Sequence, residues 1–197
     1  MTRHETSLGP AYFERMFQGT DDPWDLKSSA YEQAKYVYTI KSLGGRTYSS
    51  AFEIGCAKGV LTHRLAPLCD RLLAIDVSAT ALRAARVRCA EFQQVAFANM
   101  VFPRQAPEDA FDLIVLSEVV YYWDDDDIRR AGAWLRSHLA AGGDMILVHW
   151  TGETDYPQSG DGAVEMLQAA LRGGMEIVTA ETRPGYRLDL WRRSLWA

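Results

Sequence analysis

The chain of 197 residues reads as an α/β protein, a mostly parallel sheet with helices on both faces, behind a short N-terminal helical segment. Three observations carry this reading. From Ala51 onward, apolar runs of strand length alternate with segments of helical periodicity, the order that builds parallel sheets. One run, "FDLIVLSEV" (Phe111–Val119), is nearly all apolar, as a strand buried on both faces must be. The last two runs, "MEIVTAET" and "YRLDLWRRS", are joined at "RPG" (Arg183–Gly185) as an antiparallel hairpin.

The elements follow in order. "PAYFERMFQ" (Pro10–Gln18) forms a short helix with proline in its first turn, where a missing N–H costs little. "DDPWDL" (Asp21–Leu26) is a turn around Pro23. "YEQAKYVYTIKSL" (Tyr31–Leu43) is helical, with Tyr31, Ala34, Tyr38 and Leu43 on one stripe and Gly44–Gly45 as its stop. These pieces make residues 1–49 an N-terminal helical cap of the same domain as residues 50–197. "AFEIG" opens the sheet, and Val60–Leu68 is a helix ended near Pro67. "RLLAIDV" (Arg71–Val77) is the second strand, after which Ser78 caps the alanine-rich helix "ATALRAARVRCAEF". "VAFANM" (Val95–Met100) is the third strand and Phe111–Val119 the fourth. Asp127–Leu139 is helical, the run Asp124–Asp127 being a solvated helix start favoured by the dipole, not a metal site. "GGDMILVHW" (Gly142–Trp150) is the fifth strand, Val164–Leu171 a helix, and the hairpin ends the chain.

Composition narrows the class. Hydrophobic content of 48% with 24% charged residues suits one well-filled domain. A net charge of −5 supplies no basic face for nucleic acid. No apolar run approaches the roughly 18 residues of a membrane span, and "MTRHETSLGP" has no signal-peptide character. Cys56, Cys69 and Cys89 show neither metal-ligand spacing nor a CxxC pair, so they read as buried thiols in a reducing cytoplasm. The expectation is a cytoplasmic monomer or homodimer that binds no metal, nucleic acid or membrane.

In an open α/β sheet, ligands sit beyond the carboxyl ends of the strands, near the topological switch. Four features fall on that rim. Glu53-x-Gly55-x-Ala57-x-Gly59 forms the seam between the first strand and its helix, where small residues allow close backbone approach to a ligand or to the packed helix. Asp76 closes the second strand, 21 residues after Gly55, where a carboxylate can accept ribose hydroxyls. Asn99 and Met100 end the third strand, suited to an adenine edge and face. "LSEVVYYW" (Leu116–Trp123) follows the fourth. NAD-binding proteins share the glycine turn and acidic strand end. Glu53 argues against a pyrophosphate, because a carboxylate ahead of the turn repels phosphate and suits a cationic ligand such as S-adenosyl-L-methionine.

With these motifs in order, "EIGCAKG", "AIDVS", "FDLIVLSEVVYYW" and "LAAGGDMILVHW", the chain resembles class I S-adenosylmethionine-dependent methyltransferases, with Ala57 where a glycine is common. "DDPWDLKSSAYEQAKYVYTIKSL", "SEVVYYW" and "VHWTGETDYPQSGDGAVEML" resemble the NodS-type nodulation methyltransferases, which N-methylate the free amine of a deacetylated chitooligosaccharide. The resemblance implies a three-layer, Rossmann-like, seven-stranded methyltransferase sheet and N-methylation of a small-molecule or amino-sugar acceptor, with S-adenosyl-L-homocysteine as product. An O-methyltransferase or a non-catalytic S-adenosylmethionine-binding partner subunit are the alternatives.

It also implies roles. Glu53, Gly55, Cys56, Ala57, Gly59, Asp76, Val77, Asn99, Met100, Ser117 and Glu118 would line the cofactor, with Trp24, Tyr31 and Lys35 closing over it from the cap. Lys35 would meet the methionine carboxylate. Tyr121, Tyr122, Trp123, His149, Trp150 and Tyr156 would ring the acceptor as aromatic platforms. Asp155 and Asp161 would each pair an acceptor ammonium or cap turns around Gly160 and Gly162. His149, ending the fifth strand, is the expected general base, since imidazole can hold a proton near neutrality.

Overall fold

The seven expected strands form one mixed sheet; numbered along the chain, their spatial order is third, second, first, fourth, fifth, seventh, sixth. The structure is a computed structural model and describes residues 2–20 and 22–195. By internal contacts the chain divides into two compact units, residues 9–100 and the residues up to 8 together with those from 101 onward. The first residues go with the second unit.

In the first unit, α1 (Pro10–Gly19) and α2 (Ala30–Ser42) precede β1 (Ala51–Ile54), α3 (Val60–Leu65), β2 (Leu72–Asp76), α4 (Ala79–Arg88) and β3 (Val95–Asn99). β1, β2 and β3 pair in parallel, Ala51 opposite Leu72 and Leu72 opposite Val95. Every β1 residue is buried, as a parallel strand covered on both faces requires. Pro67 does not end α3 abruptly; the chain tightens after Leu65 into a 3-10 turn over Ala66–Leu68. Ser78 caps α4 as its sequence predicts, accepting the Ala81 N–H.

α2 corrects the sequence reading. Its buried face is Glu32, Lys35, Tyr36 and Thr39, while Tyr31 and Ala34 of the expected stripe are exposed and Tyr38 is half-buried. An ion pair made inside the helix, Lys35 Nζ to Glu32 Oε1 at 2.9 Å, lets two charged residues take the inner face. The turn around Pro23 is present, with Asp21 outside the described residues. α1 is tied to α4 by Glu14, whose carboxylate accepts the Ser78 hydroxyl at 2.6 Å, the Thr80 N–H at 3.2 Å and the Thr80 hydroxyl.

In the second unit, β4 (Phe111–Ser117), α5 (Asp125–His138), β5 (Leu139–Trp150), α6 (Gly160–Leu171), β6 (Met175–Arg183) and β7 (Tyr186–Arg193) follow in sequence. β4 and β5 are parallel, while β7 runs antiparallel to both β5 and β6 and lies between them. Buried Asp144 and Asp189 are tolerated in the sheet because each meets an arginine of β7, Arg192 at 2.7 Å and Arg187 at 2.8 Å. α5 starts two residues before the predicted point, capped by Asp124. Asp127 is buried, not solvated: it accepts the Ser7 hydroxyl at 2.7 Å and the guanidinium groups of Arg104 and Arg130. α6 starts four residues early, because the Ser159 hydroxyl accepts the Gly162 N–H and offsets the glycines.

All three cysteines are buried and unbridged, as expected. Among the described residues no helix is long and apolar enough to cross a membrane, and no cluster of His, Cys, Asp and Glu could hold a metal ion.

Candidate active site

At the carboxyl ends of β1, β2 and β3, the backbone makes a left-handed turn. Gly55, Ala57 and Gly59 have φ of 78°, 47° and 75°. The small residues serve two purposes. A methyl on Gly59 would stand 3.0 Å from the Ala85 side chain and 3.1 Å from its backbone, so Gly59 is required by the packing of α3 on α4. Gly55 and Cys56 both spend their N–H on the Ile75 carbonyl at 2.9 Å, and the Cys56 thiol turns into the core beside Ala74, Leu82 and Phe97. Burial pushes that thiol well above its usual range. Ala57 holds a conformation that L-residues rarely adopt, and its N–H points at Asp76.

Asp76 is 7% exposed, and each carboxylate oxygen takes one backbone N–H, from Ala57 and from Ser78, both at 2.8 Å. Burial lifts its carboxyl to about 6, against the pull of the N–H bonds from Ser78, Ala57 and Val77, with the Glu14 charge adding to the rise. Acceptor capacity remains for a hydroxyl. The Asn99 side-chain NH2 donates to the Asp76 carbonyl at 2.9 Å, which turns its amide oxygen the other way. Met100 adds its own N–H to that carbonyl at 3.2 Å and is half-buried.

Glu53 lies beneath the turn, not on its rim. It is 2% exposed, its Oε2 accepts the buried Thr62 hydroxyl at 2.6 Å, and burial raises its carboxyl to about 7. A carboxyl raised this far carries less charge near neutrality, so repulsion of a pyrophosphate is a weaker argument than the sequence implied. Trp24 meets Phe17 edge-on at 5.5 Å. Lys35 is buried, paired with Glu32, and lies 5.4 Å from the centre of the exposed Tyr31 ring. The second Glu32 oxygen is buried with no hydrogen-bond partner.

In the second unit, Ser117 ends β4 and Glu118 follows with φ of 55°. Glu118 donates its N–H to the Val148 carbonyl at 2.7 Å. Its Oε2 accepts the Tyr121 hydroxyl at 2.6 Å and the Trp150 N–H at 2.8 Å, so this carboxylate organises the loop after β4. Tyr121 and Tyr122 are buried on a 3-10 turn, meeting each other at 4.6 Å and Tyr156 at 5.3 and 4.7 Å. Burial raises both phenols well above 10. They form a packed cluster instead of the open platforms expected, and Trp123 is core, against Phe102 at 5.6 Å.

His149 is 0% exposed, below the rim that the sequence assigned it. Its Nε2 accepts the Val120 N–H at 3.2 Å, and its ring meets Tyr121 edge-on at 5.4 Å. A buried imidazole whose lone pair is already committed is badly placed to take a substrate proton. Trp150, by contrast, is 40% exposed. Its indole lies over Gly152, where a methyl would come within 2.3 Å of Nε1. Asp155 is exposed, 3.9 Å from His4, and Asp161 pairs with Arg187 at 2.9 Å.

A sequence model of the family described as nodulation protein S (NodS) matches residues 13–151. The chain belongs to the NodS family. Nodulation protein S of Bradyrhizobium diazoefficiens is 40% identical over 106 residues, 53% of this chain and 51% of that protein. The Sinorhizobium fredii protein is 38% identical over 128 residues, 64% of this chain and 59% of the relative. The chain thus spans about half to three-fifths of the curated relatives it matches. Among solved structures, the N-methyltransferase NodS from Bradyrhizobium japonicum WM9 in complex with S-adenosyl-L-homocysteine is 27% identical with a TM-score of 0.82, covering 93% of this chain and 97% of that one. A putative methyltransferase from Pseudomonas syringae is 33% identical, with a TM-score of 0.71 over 84% of this chain and 100% of that one.

The NodS match takes in every expected site residue from Trp24 to Trp150 and stops before Asp155 and Tyr156. Sequence reasoning passed over Glu14, Thr62 and Gly152. Glu14 and Ser78 are 64 residues apart, and no local pattern could have joined them. Gly152 did carry a signal, an unexplained small residue opening the acidic and aromatic segment after β5.

Proposed function

We propose that this NodS-family chain is an S-adenosyl-L-methionine-dependent methyltransferase that N-methylates the amine of a small molecule or amino sugar. The observation that carries it is the Asp76 carboxylate, held on the Ala57 and Ser78 N–H groups beside a left-handed turn, in a chain whose solved relative binds S-adenosyl-L-homocysteine. The residues fit a nucleoside. Asp76 accepts a ribose hydroxyl, with the Val77 backbone beside it, and the outward Asn99 oxygen accepts the adenine amino group while Met100 covers the base. Gly55, Cys56 and Ala57 let the backbone come close to the amino-acid end, for which Lys35 and Glu32 provide one charge of each sign, with the Tyr31 ring 5.4 Å from the Lys35 ammonium.

When bound, the cofactor supplies a sulfonium methyl, to which the amine lone pair bonds as the carbon–sulfur bond breaks, leaving S-adenosyl-L-homocysteine. The chain's part is to orient and desolvate. The amine is taken as its free base and its remaining proton passes to water, since His149 is enclosed. Trp150 offers an apolar face to a sugar ring, and Asp155 and Tyr156 border the same segment. Ser117 and Glu118 act by shaping the loop after β4. Three buried free thiols support a cytoplasmic setting, in which we take the protein to be a monomer or homodimer.

Calorimetry with S-adenosyl-L-homocysteine and transfer of a labelled methyl to glucosamine oligomers test this. Binding followed by label on nitrogen is the expected result. Binding without transfer to any amine or alcohol would point to a partner subunit, and no binding would overturn the assignment.

A further inference from the structure

The loop after β4 is joined to the end of β5 by two side-chain-to-backbone bonds that run in opposite directions. Glu118, on the loop, accepts the N–H of Trp150 at 2.8 Å. His149, on the strand, accepts the N–H of Val120 at 3.2 Å. Both begin where the parallel pairing stops, since Ser117 opposite Val148 is the last register pair of β4 and β5. The Tyr121 hydroxyl returns to Glu118 at 2.6 Å and its ring rests edge-on against His149 at 5.4 Å, closing the circuit. Glu118 holds a left-handed backbone, φ 55°, a conformation a non-glycine residue keeps only where its surroundings enforce it.

The Val120 bond also occupies the imidazole. An N–H donor directed at Nε2 engages the lone pair there, the one a base would use to take a proton. α6 seals the other side: a methyl at Gly160 would lie 2.1 Å from the Trp150 carbonyl oxygen and 3.5 Å from His149 Cβ.

We propose that Glu118 and His149 are positioning residues that form a reciprocal clamp, holding the Val120–Tyr122 turn and the Trp150 backbone so that the Trp150 ring is presented to the acceptor. His149 acts as a neutral hydrogen-bond acceptor and not as the general base. The inference rests on the methyltransferase reading for its kinetic readout and on geometry alone for its structural one.

The test compares His149→Ala, His149→Gln and Glu118→Ala. A glutamine carbonyl reaches the place of Nε2 and accepts the Val120 N–H, but it cannot take a proton from an amine. With labelled S-adenosyl-L-methionine and a glucosamine tetramer, His149→Ala and Glu118→Ala each raise the acceptor KM about tenfold with kcat within about threefold. The double variant adds little to either, because one clamp is broken in all three. His149→Gln restores most of the loss. S-adenosyl-L-homocysteine affinity stays within about twofold throughout. Amide hydrogen exchange read by NMR gives the independent measure: Val120 exchanges faster in His149→Ala, and His149→Gln slows it again. If His149→Gln loses kcat as severely as His149→Ala, the residue is the base and the clamp is wrong. If Val120 exchange is unmoved by His149→Ala, the bond does not matter and the clamp is wrong. A parent that binds no S-adenosyl-L-homocysteine sinks the enzymatic reading, while the exchange data still decide the clamp.

Discussion

Replacing Glu53 by glutamine should shift stability in the variant's favour as pH rises, from a net cost at pH 5 to parity or a gain at pH 8. Glu53 is enclosed under the turn after β1, and burial first, with the Asp76 charge adding, lifts its carboxyl from 4.5 to about 7 against the Thr62 hydrogen bond. Between those values the folded chain keeps a proton that the unfolded chain has lost. The favourable contribution is therefore complete below 4.5, falls as pH rises through the interval, and is gone above about 7. At about 1.4 kcal/mol per pH unit the interval amounts to about 3–4 kcal/mol. A glutamine has no such proton. Its carbonyl still accepts the Thr62 hydroxyl, while its buried NH2 costs about 1–3 kcal/mol at every pH. The difference in unfolding free energy between variant and parent should then move by about 2–3 kcal/mol in the variant's favour from pH 5 to pH 8. Urea unfolding followed by tryptophan fluorescence across that range measures it. Curves that stay parallel would mean that Glu53 ionises at its ordinary value and that the argument from burial fails.

Three further outcomes follow from other contacts. Asp76→Asn should weaken S-adenosyl-L-homocysteine binding about 10- to 100-fold by calorimetry. In the parent, affinity should rise as pH passes the Asp76 value of about 6, because the ionised carboxylate is the better acceptor; unchanged binding in the variant would remove Asp76 from the cofactor site. Gly160→Ala places a methyl 2.1 Å from the Trp150 carbonyl oxygen and should cost about 1–3 kcal/mol, roughly 2–4 °C of Tm for each, with an unaltered Tm counting against this packing. Glu14→Ala removes the cap on Thr80 and should cost about 1 kcal/mol. Its hydrogen bonds to Ser78 and Thr80 hold the Glu14 carboxyl at about 2, so the stabilisation is complete above 4.5 and is lost only as pH falls through that low value. From pH 5 to pH 8 the loss should be flat, in contrast to Glu53.

The strand ends show what can and cannot be read locally. Gly55, Gly59 and Asp76 were legible because a left-handed turn and a strand-terminal acid are demands of the backbone within a few residues. The fate of Glu53 was not, since its partner Thr62 lies on the next helix and its burial depends on how that helix seats. α2 was misread for a similar reason. Periodicity finds the apolar stripe, but the Lys35–Glu32 pair turned a charged stripe inward and left Tyr31 and Ala34 outside.

By itself, the order of short apolar and periodic segments determined the seven strands, the hairpin close and the family likeness, because each is written in contiguous residues whose period decides their conformation. Tertiary structure alone decided which carboxylates are charged, which aromatics are enclosed, and that the imidazole at the end of β5 faces a backbone N–H. Those outcomes turn on burial and on partners tens of residues away, such as Val120 for His149 and Ser78 for Glu14, and desolvation is a property of the packed molecule that no stretch of chain possesses alone.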